Sequence, residues 1–276
     1  MIHPEVLEKL CCTSCGETEL TLGSRRRPDL ECHGCGTRFP IVEGIPDLVA
    51  PDEAPNPGSY RTETLENVIA GVYDFVAPVM SLAFWRCSPL RYVDHENRAL
   101  GRAQGGVYVE APIGTGVALA PVVAPHHDAL IIGIDKSWNM LFKAQKRLRN
   151  ISADFQLIRA DYHNLPLQTG TVRSLQSLNG LHGFPDREGA LSEFNRCLEE
   201  EGFFSGSALV RAKTDVADAV VIRYERYGIY PMLRCPEYLL QQIRATYFDD
   251  VRFETHGAVM FFTGQKLDQA ATAEAG

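Results

Sequence analysis

Two Cys-x-x-Cys pairs near the start of this 276-residue chain limit its fold more than any other feature. Cys12 and Cys15 form the first pair, Cys32 and Cys35 form the second, and sixteen residues lie between the pairs. This is the spacing of a four-thiolate zinc site in a ribbon. A glycine follows each pair and permits the tight turn that points backbone amides at the thiolates. The sequence therefore predicts a zinc ribbon at the N-terminus.

We expect this zinc to be structural. Four protein thiolates complete the tetrahedron and leave no open position for a reactive water. A segment of about fifty residues buries little apolar surface, whereas zinc contributes on the order of 10 kcal/mol to folding. A redox role would need only one pair, and no thioredoxin-like pattern surrounds either of them. We interpret Cys11, which adjoins the first pair, as a bystander.

The composition is that of an ordinary soluble chain. Hydrophobic residues make up 45% and charged residues 22% of the sequence, and no apolar run approaches the ~18 residues that a membrane span requires. The first residues show no secretory pattern, so we expect a cytoplasmic protein with reduced thiols. The formal net charge of −8 opposes general binding to nucleic-acid phosphates.

A proline-rich stretch divides the chain. Residues 50–59 contain three prolines and a glycine and have almost nothing to bury, which is typical of a linker. We predict a zinc ribbon over 1–49, a linker over 50–60, a second domain over 61–266 and a flexible tail over 267–276. We also expect the two domains to unfold as separate units.

Beyond residue 104 the sequence alternates between apolar strands and helices, a pattern that predicts βαβ units and a parallel sheet of the α/β class. The predicted strands are Val107–Glu110, Ala129–Asp135, Phe155–Ile158, Val172–Leu178 and Phe203–Val210, followed by a terminal hairpin that turns at Gly257.

Three helices are predicted between these strands. A short apolar helix after the first strand must end near Pro121 or Pro125, because proline has no amide donor. The next helix begins at Ser137, whose hydroxyl is expected to cap it. A third helix is capped by Asp186 and is expected to end at Gly202.

The loop after the first strand indicates a nucleotide-like ligand, because ligands of parallel sheets bind beyond the carboxyl ends of the strands. Gly114 and Gly116 allow close backbone approach, and Asp135 ends the next strand, where a carboxylate suits a ribose diol. No lysine follows Gly116, which disfavours a Walker loop, and Leu119 obstructs the helix packing of a dinucleotide fingerprint. S-adenosylmethionine remains as the ligand.

The stretch 65–266 resembles the class I S-adenosylmethionine-dependent methyltransferases, especially their ubiquinone/menaquinone-biosynthesis-like branch. Residues 8–49 resemble the short zinc ribbons that accompany many bacterial methyltransferases, on the cysteines and on Gly44-Ile45-Pro46. The resemblance implies a Rossmann-like seven-stranded sheet beside a small ribbon. The motifs that match in order are Val109–Gly116, Gly133–Leu141, Arg159–Pro166 and Arg196–Gly202.

Carried over by position, the resemblance implies a complete cofactor site. The glycine loop would face the methionine part, Asp135 would take both ribose hydroxyls, and Asp161 with the backbone of Tyr162 would recognise adenine. Met140 would flank the adenine ring, although it is equally typical of a core residue. The implied cofactor-binding residues are Glu110, Gly114, Gly116, Asp135, Met140, Asp161, Tyr162 and Asn179.

The resemblance also implies methyl transfer to a small molecule, a phenol, enol or quinone-like nucleophile. His182 and Tyr73 are the candidate catalytic bases, and for His182 a hydrogen-bonded loop residue is the alternative. The segment 215–236, with Tyr227 among its aromatic residues, is the expected cover of the acceptor.

Two rival functions stay open. Some ribosomal-RNA methyltransferases also open with a zinc ribbon, and Arg25, Arg26 and Arg27 offer a phosphate contact. A non-catalytic protein that binds cofactor or a partner is the other. It is suggested by Pro112, which replaces the family's first glycine, and by Arg173, which replaces an acidic residue that usually opens the fourth strand.

Overall fold

The computed structural model describes residues 2–23, 28–49, 74–123, 128–150, 154–211, 215–227, 235–246 and 248–267. The predicted linker over 50–60 and the tail from residue 268 onwards lie outside these ranges. Within them the chain forms two sheets, and the smaller one belongs to the N-terminal ribbon.

The ribbon is a four-stranded antiparallel sheet with a short helix in front of it. Its strands occur in the order β1-β2-β3-β4, with β3 and β4 joined by a turn at Gly44. Phe39 on β3 and Leu30 on β2 are fully buried, since they are inward-facing positions of a sheet with one covered face. The elements are α1 Pro4–Leu7, β1 Leu20–Leu22, β2 Asp29–Cys32, β3 Arg38–Val42 and β4 Ile45–Pro46.

The second sheet has seven strands in the order β10-β11-β9-β8-β5-β6-β7. The five strands from β7 to β9 are parallel, and β11 joins β9 in the antiparallel direction. The predicted seven-stranded α/β sheet is confirmed. The strands are β5 Val107–Glu110, β6 Leu130–Asp135, β7 Phe155–Arg159, β8 Val172–Leu178, β9 Leu198–Leu209, β10 Phe248–His256 and β11 Val259–Lys266.

Helices cover both faces of this sheet, as the continuous burial of β5 and β6 requires. Side chains of α3 and α4 pack together on one face, and those of α5 and α7 pack on the other. The helices are α2 over 74–83, α3 Pro89–Arg102, α4 Trp138–Leu148, α5 Arg187–Cys197, α6 Asp215–Arg226 and α7 Pro236–Ala245.

Two of the three helix predictions need correction at their ends. Helix α5 is capped by Asp186, as predicted, but ends at Cys197 rather than Gly202. Leu198 already has extended backbone and pairs with Val172, so sheet pairing replaces the last helical turn. Ser137 occupies the N-cap position of α4 without a side-chain capping bond.

The helix predicted after the glycine loop is also wrong for the described residues up to 123, which form consecutive turns. The amide of Ala120 donates to the Gly116 carbonyl and that of Val123 donates to the Leu119 carbonyl. Pro121 supplies no amide between them, so the helical ladder does not propagate.

The terminal hairpin turns at Gly257, as predicted, between β10 and β11. Gly257 has a φ of +59°, and a Cβ there would lie 1.9 Å from the Trp85 carbonyl oxygen. Both the backbone conformation and the close approach therefore require glycine at this turn.

The ribbon packs against the β7 edge of the large sheet and shares its core. Leu10, Leu30 and Leu48 of the ribbon belong to the same buried cluster as Ile158 and Leu165 of the second domain. Backbone bonds add to this packing, since the Leu48 amide donates to the Arg159 carbonyl at 2.8 Å. The ribbon thus covers a sheet edge that would otherwise offer unpaired backbone groups.

Candidate functional site

The two cysteine pairs lie on two similar turns of the ribbon. The amide of Gly16 donates to the Cys12 carbonyl at 2.8 Å, and the amide of Gly36 donates to the Cys32 carbonyl at 2.9 Å. Both glycines have positive φ, +80° and +70°. The turns bring the second cysteine of each pair back towards the first, as the sequence predicted.

The four cysteine sulfurs fit a zinc ion. All four Sγ atoms lie within 4.8 Å of one another, with 3.7 Å between Cys12 and Cys35 and 3.6 Å between Cys15 and Cys32. A tetrahedron with zinc–sulfur bonds of about 2.3 Å has edges of about 3.8 Å. The donor set and its size therefore suit tetrahedral zinc, with no position left for a substrate.

The glycine loop and Asp135 meet at the carboxyl ends of β5 and β6. The Gly114 amide donates to Asp135 Oδ2 and the Ser137 amide donates to Asp135 Oδ1, both at 2.9 Å. Gly114 and Gly116 have positive φ, so the loop needs glycine at both positions. Each carboxylate oxygen has two lone pairs, which leaves Asp135 able to accept further hydrogen bonds.

Glu110, at the end of β5, is the most unusual group of this region. Its side chain is 2% exposed, and its Oε2 atom has no hydrogen-bond partner. Burial raises the pKa of Glu110 well above its usual range, and the nearby carboxyls of Glu96 and Asp135 raise it further. A buried carboxyl without a partner is expected where a ligand supplies one.

A buried polar network lies behind Glu110, under helix α3. Tyr108 donates its hydroxyl to Glu96 Oε1, and Gln176 donates to Glu96 Oε2 at 2.6 Å. Ser205 donates in turn to Gln176 Oε1. Burial raises the pKa of Glu96 to about 7 even though both donors oppose that rise.

Asp161 lies in the turn after β7, beside the next strand end along the sheet. Lys136 Nζ approaches its Oδ2 atom to 2.5 Å, and the His163 amide donates to its Oδ1 atom at 2.8 Å. Burial opposes ionisation, but these contacts outweigh it and hold the pKa of Asp161 below its usual value. Asp161 is therefore an ionised acceptor at neutral pH.

The first residue of helix α2 within the described part of the chain adds a contact that sequence reasoning missed. Asp74 accepts a hydrogen bond from the Thr115 hydroxyl at 2.7 Å and an ion pair from Arg147 at 2.6 Å. Arg147 also donates to the Thr115 carbonyl. These bonds fasten α2 to the glycine loop. Asp74 directly follows Tyr73, which the resemblance had singled out, and this neighbour was the available signal.

The predicted residues on the acceptor side are only partly described. Tyr73 lies outside the described residues, as do Arg25 to Arg27 and part of the segment 215–236. Tyr227 is 64% exposed at the end of α6, and Met140 is half-buried on α4. The ring of Tyr162 stacks on Phe184 with 3.7 Å between centroids.

His182 and Asn179 follow β8 on this side of the site. His182 is buried, and its Nδ1 atom accepts from the Leu209 amide at 3.4 Å. Burial lowers the pKa of His182 to about 3, so its geometry suits a hydrogen-bonded loop residue better than a base. Asn179 has a φ of +53° and accepts from the Ser207 hydroxyl at 3.2 Å.

Arg173 lies far along β8 from the candidate site, at the amino end of the strand. It donates to Glu199 at 2.9 Å and to the Gln104 carbonyl at 2.7 Å. Ligand-binding loops of parallel sheets lie at the opposite, carboxyl ends. The replacement at this position therefore joins the turn after α3 to β9, away from the candidate site.

Comparisons with known proteins agree with this geometry. Residues 109–202 match the family described as "Methyltransferase domain". The ubiquinone/menaquinone biosynthesis C-methyltransferase of Syntrophotalea carbinolica is 29% identical over 144 residues, 51% of this chain and 58% of that protein. A ribosomal RNA small subunit methyltransferase H of Salinispora arenicola is 37% identical over 68 residues, 25% of this chain and 18% of that protein.

A solved structure shares the fold. A phosphoethanolamine N-methyltransferase of Haemonchus contortus superimposes with a TM-score of 0.58 at 12% identity, over 73% of this chain and 59% of that chain. The chain spans 58% of the first curated relative, less than two thirds of its length. The expected resemblance to methyltransferases is confirmed over residues 109–202, which match the methyltransferase domain family.

Among the described residues, no helix combines the length and the apolar character needed to cross a bilayer.

Proposed function

We propose that this protein transfers the methyl group of S-adenosylmethionine to a small-molecule acceptor. The observation that carries the proposal is the arrangement at three neighbouring strand ends. Glu110, Asp135 and Asp161 end or follow β5, β6 and β7, beside a loop with two positive-φ glycines. Three acidic groups in that order suit the three parts of the cofactor.

Each carboxyl has a distinct task in this proposal. Asp161 accepts from adenine, and Asp135, while holding the loop amides, accepts from the ribose hydroxyls. The unpartnered Oε2 of Glu110 suits the cationic methionine part of the ligand. Gly114, Gly116, Met140, Tyr162 and Asn179 complete the proposed contact set. Bound S-adenosylmethionine supplies an activated methyl group on sulfur, and the protein aligns the acceptor and excludes water.

We propose a phenol, enol or quinone-like acceptor, bound on the side of α2, α6 and the loop after β8. The Syntrophotalea relative, a ubiquinone/menaquinone biosynthesis C-methyltransferase, supports this class. Tyr73 stays a candidate base, and His182 is the weaker candidate because of its low pKa. We further propose that the ribbon holds zinc through Cys12, Cys15, Cys32 and Cys35 and that the protein works in the cytoplasm, where thiols stay reduced.

Calorimetric titration with S-adenosylmethionine, followed by a methyl-transfer assay on phenols and quinones, tests the proposal. We expect saturable binding of one cofactor per chain and transfer to at least one acceptor of this class. Binding without transfer to any acceptor would favour the non-catalytic alternative. No binding would reject the cofactor site itself.

Ribosomal RNA is the second candidate acceptor, because one relative with 37% identity over a short stretch is a ribosomal RNA methyltransferase. Such binding would weaken by about one log unit per log unit of salt for each phosphate contact. Filter binding with ribosomal RNA at physiological salt separates the candidates. Micromolar affinity with a steep salt slope, abolished by Arg26→Glu, would favour RNA over the small molecule.

A further inference from the structure

The ribbon forms hydrogen bonds to the residue that precedes the turn carrying Asp161. Arg159, the last residue of β7, donates through Nη1 to both oxygens of Asp47, at 3.0 and 2.8 Å. Both side chains are less than one-fifth exposed. The Leu48 amide also donates to the Arg159 carbonyl at 2.8 Å. The start of the turn is therefore fixed to the ribbon by backbone and side-chain bonds.

The ribbon also forms hydrogen bonds to the end of this turn and to the residues that follow it. Asn164 donates through Nδ2 to the Thr13 carbonyl at 2.8 Å, and Thr13 lies between two of the cysteine ligands. The Cys11 amide donates to the Pro166 carbonyl at 3.1 Å. Gln168 Nε2 donates to the carbonyls of Glu8 and Leu10. Residues 160–164 thus lie between two anchored ends.

A short chain of bonds leads from the ribbon to the Asp161 carboxylate. Arg159 uses Nε to donate to the Lys136 carbonyl at 2.8 Å, while Nη1 holds Asp47. The side chain of the same Lys136 contacts Asp161. Asp47 therefore orients Arg159, Arg159 fixes the backbone of Lys136, and Lys136 holds Asp161.

From these contacts we propose that the ribbon is a positioning element of the cofactor site. It fixes the adenine-recognition turn without touching the cofactor, and Asp47 and Asn164 are its positioning residues. This inference rests on the proposed role of Asp161 in cofactor binding. A turn that is held in its binding geometry before the ligand arrives loses less conformational freedom on binding, which strengthens affinity.

The test compares Asp47→Asn with Glu31→Gln in the full-length protein. Glu31 forms the ribbon's solvent-facing pair with Arg38 at 2.8 Å and has no contact with the turn among the described bonds. We expect Asp47→Asn to weaken S-adenosylmethionine and S-adenosylhomocysteine alike by about 5- to 10-fold. Glu31→Gln should bind as the wild type does. Asp47→Glu, which keeps a carboxylate, should recover most of the lost affinity.

Hydrogen exchange supplies a readout that does not need the cofactor. In the free protein, the amides of 160–164 should exchange faster in Asp47→Asn and in Asn164→Ala, while amides in β8 keep their wild-type rates. Exchange and affinity that are unchanged in both variants would overturn the inference. If the wild-type protein does not bind the cofactor and the two variants still exchange faster, the ribbon positions the turn but the proposed function is rejected.

Discussion

The two flanks of the large sheet are enclosed to different degrees. At the β7 edge, the ribbon buries Leu10, Leu30 and Leu48 against the sheet and bonds to the turn after β7. On the opposite side of the site, helix α2 leaves Phe75 80% exposed and Val79 60% exposed. The side proposed for adenine is thus covered by the ribbon, whereas the side proposed for the acceptor presents apolar groups to solvent. This contrast suits a domain that binds one constant cofactor and a separately selected acceptor.

Loss of one zinc ligand should have the largest effect on stability, and it should disrupt the packing of the ribbon on the β7 edge. Zinc binding contributes on the order of 10 kcal/mol to such ribbons. Because the ribbon shares its core with the sheet, we now expect Cys32→Ser to lower the melting temperature of the whole chain rather than of the ribbon alone. Calorimetry and elemental analysis measure both consequences. The control is Cys235→Ser, since Cys235 is exposed and outside the cluster.

Two separate transitions in Cys32→Ser, with the upper one unchanged from the wild type, would show that the two domains are energetically independent. That result would restore the expectation drawn from the proline-rich linker.

Between the flanks, the buried carboxyl of Glu96 should make stability depend on pH. The pKa of Glu96 in the folded protein is raised from the usual 4.5 to about 7. Its contribution to the free energy of unfolding is therefore fully present below about pH 4.5 and is lost as the pH rises through 7. The loss amounts to about 3 kcal/mol. Urea unfolding at pH 5 and pH 8 should show a smaller difference in Glu96→Gln than in the wild type. Equal differences in the two proteins would mean that Glu96 is not the source.

Asp135→Ala should weaken cofactor binding at the centre of the site while the fold persists. A hydrogen bond to a charged group is worth roughly 1.5–3 kcal/mol, so the dissociation constant should rise about 10- to 100-fold. Calorimetric titration measures the change, with Asp94→Ala on the exposed face of α3 as the control. An unchanged dissociation constant would exclude Asp135 from the ribose contact.

The smallest effect on cofactor affinity is expected from a substitution on the side proposed for the acceptor, at the end of α6. Tyr227 is exposed at the end of α6, with Arg223 5.3 Å above its ring. Tyr227→Ala should change turnover with the acceptor while the cofactor dissociation constant stays within about 2-fold of the wild type. Steady-state kinetics and titration separate the two quantities. A weakened cofactor with normal turnover would place this helix on the cofactor side instead.

Local patterns in the sequence predicted much of the fold. The strand Val107–Glu110 and the turn at Gly257 have the predicted limits, because a short apolar run and the conformation of a glycine are local properties. The cysteine spacing likewise predicted the cluster of four sulfurs. The end of α5 was missed because Leu198 pairs with Val172, a tertiary contact that overrides a local stop signal at Gly202.

The contacts that shape the candidate site were less accessible to sequence reasoning. Asp47 and Arg159 are 112 positions apart, and Asp74 and Arg147 are 73 apart. No periodicity or spacing rule connects residues at such distances. The resemblance implied Glu110 as a cofactor-binding residue, but its burial and its unpartnered Oε2 atom depend on tertiary packing around β5.

The packing of the ribbon on β7 also bears on how the chain is made. About 110 residues separate β4 from β7, and at about 5–20 residues per second their synthesis takes about 5–20 s. During that interval the nascent ribbon exposes the leucines that later meet Ile158 and Leu165. Early metal capture would hold the ribbon in shape while it waits, so its surface can serve as the template on which the edge of the sheet assembles.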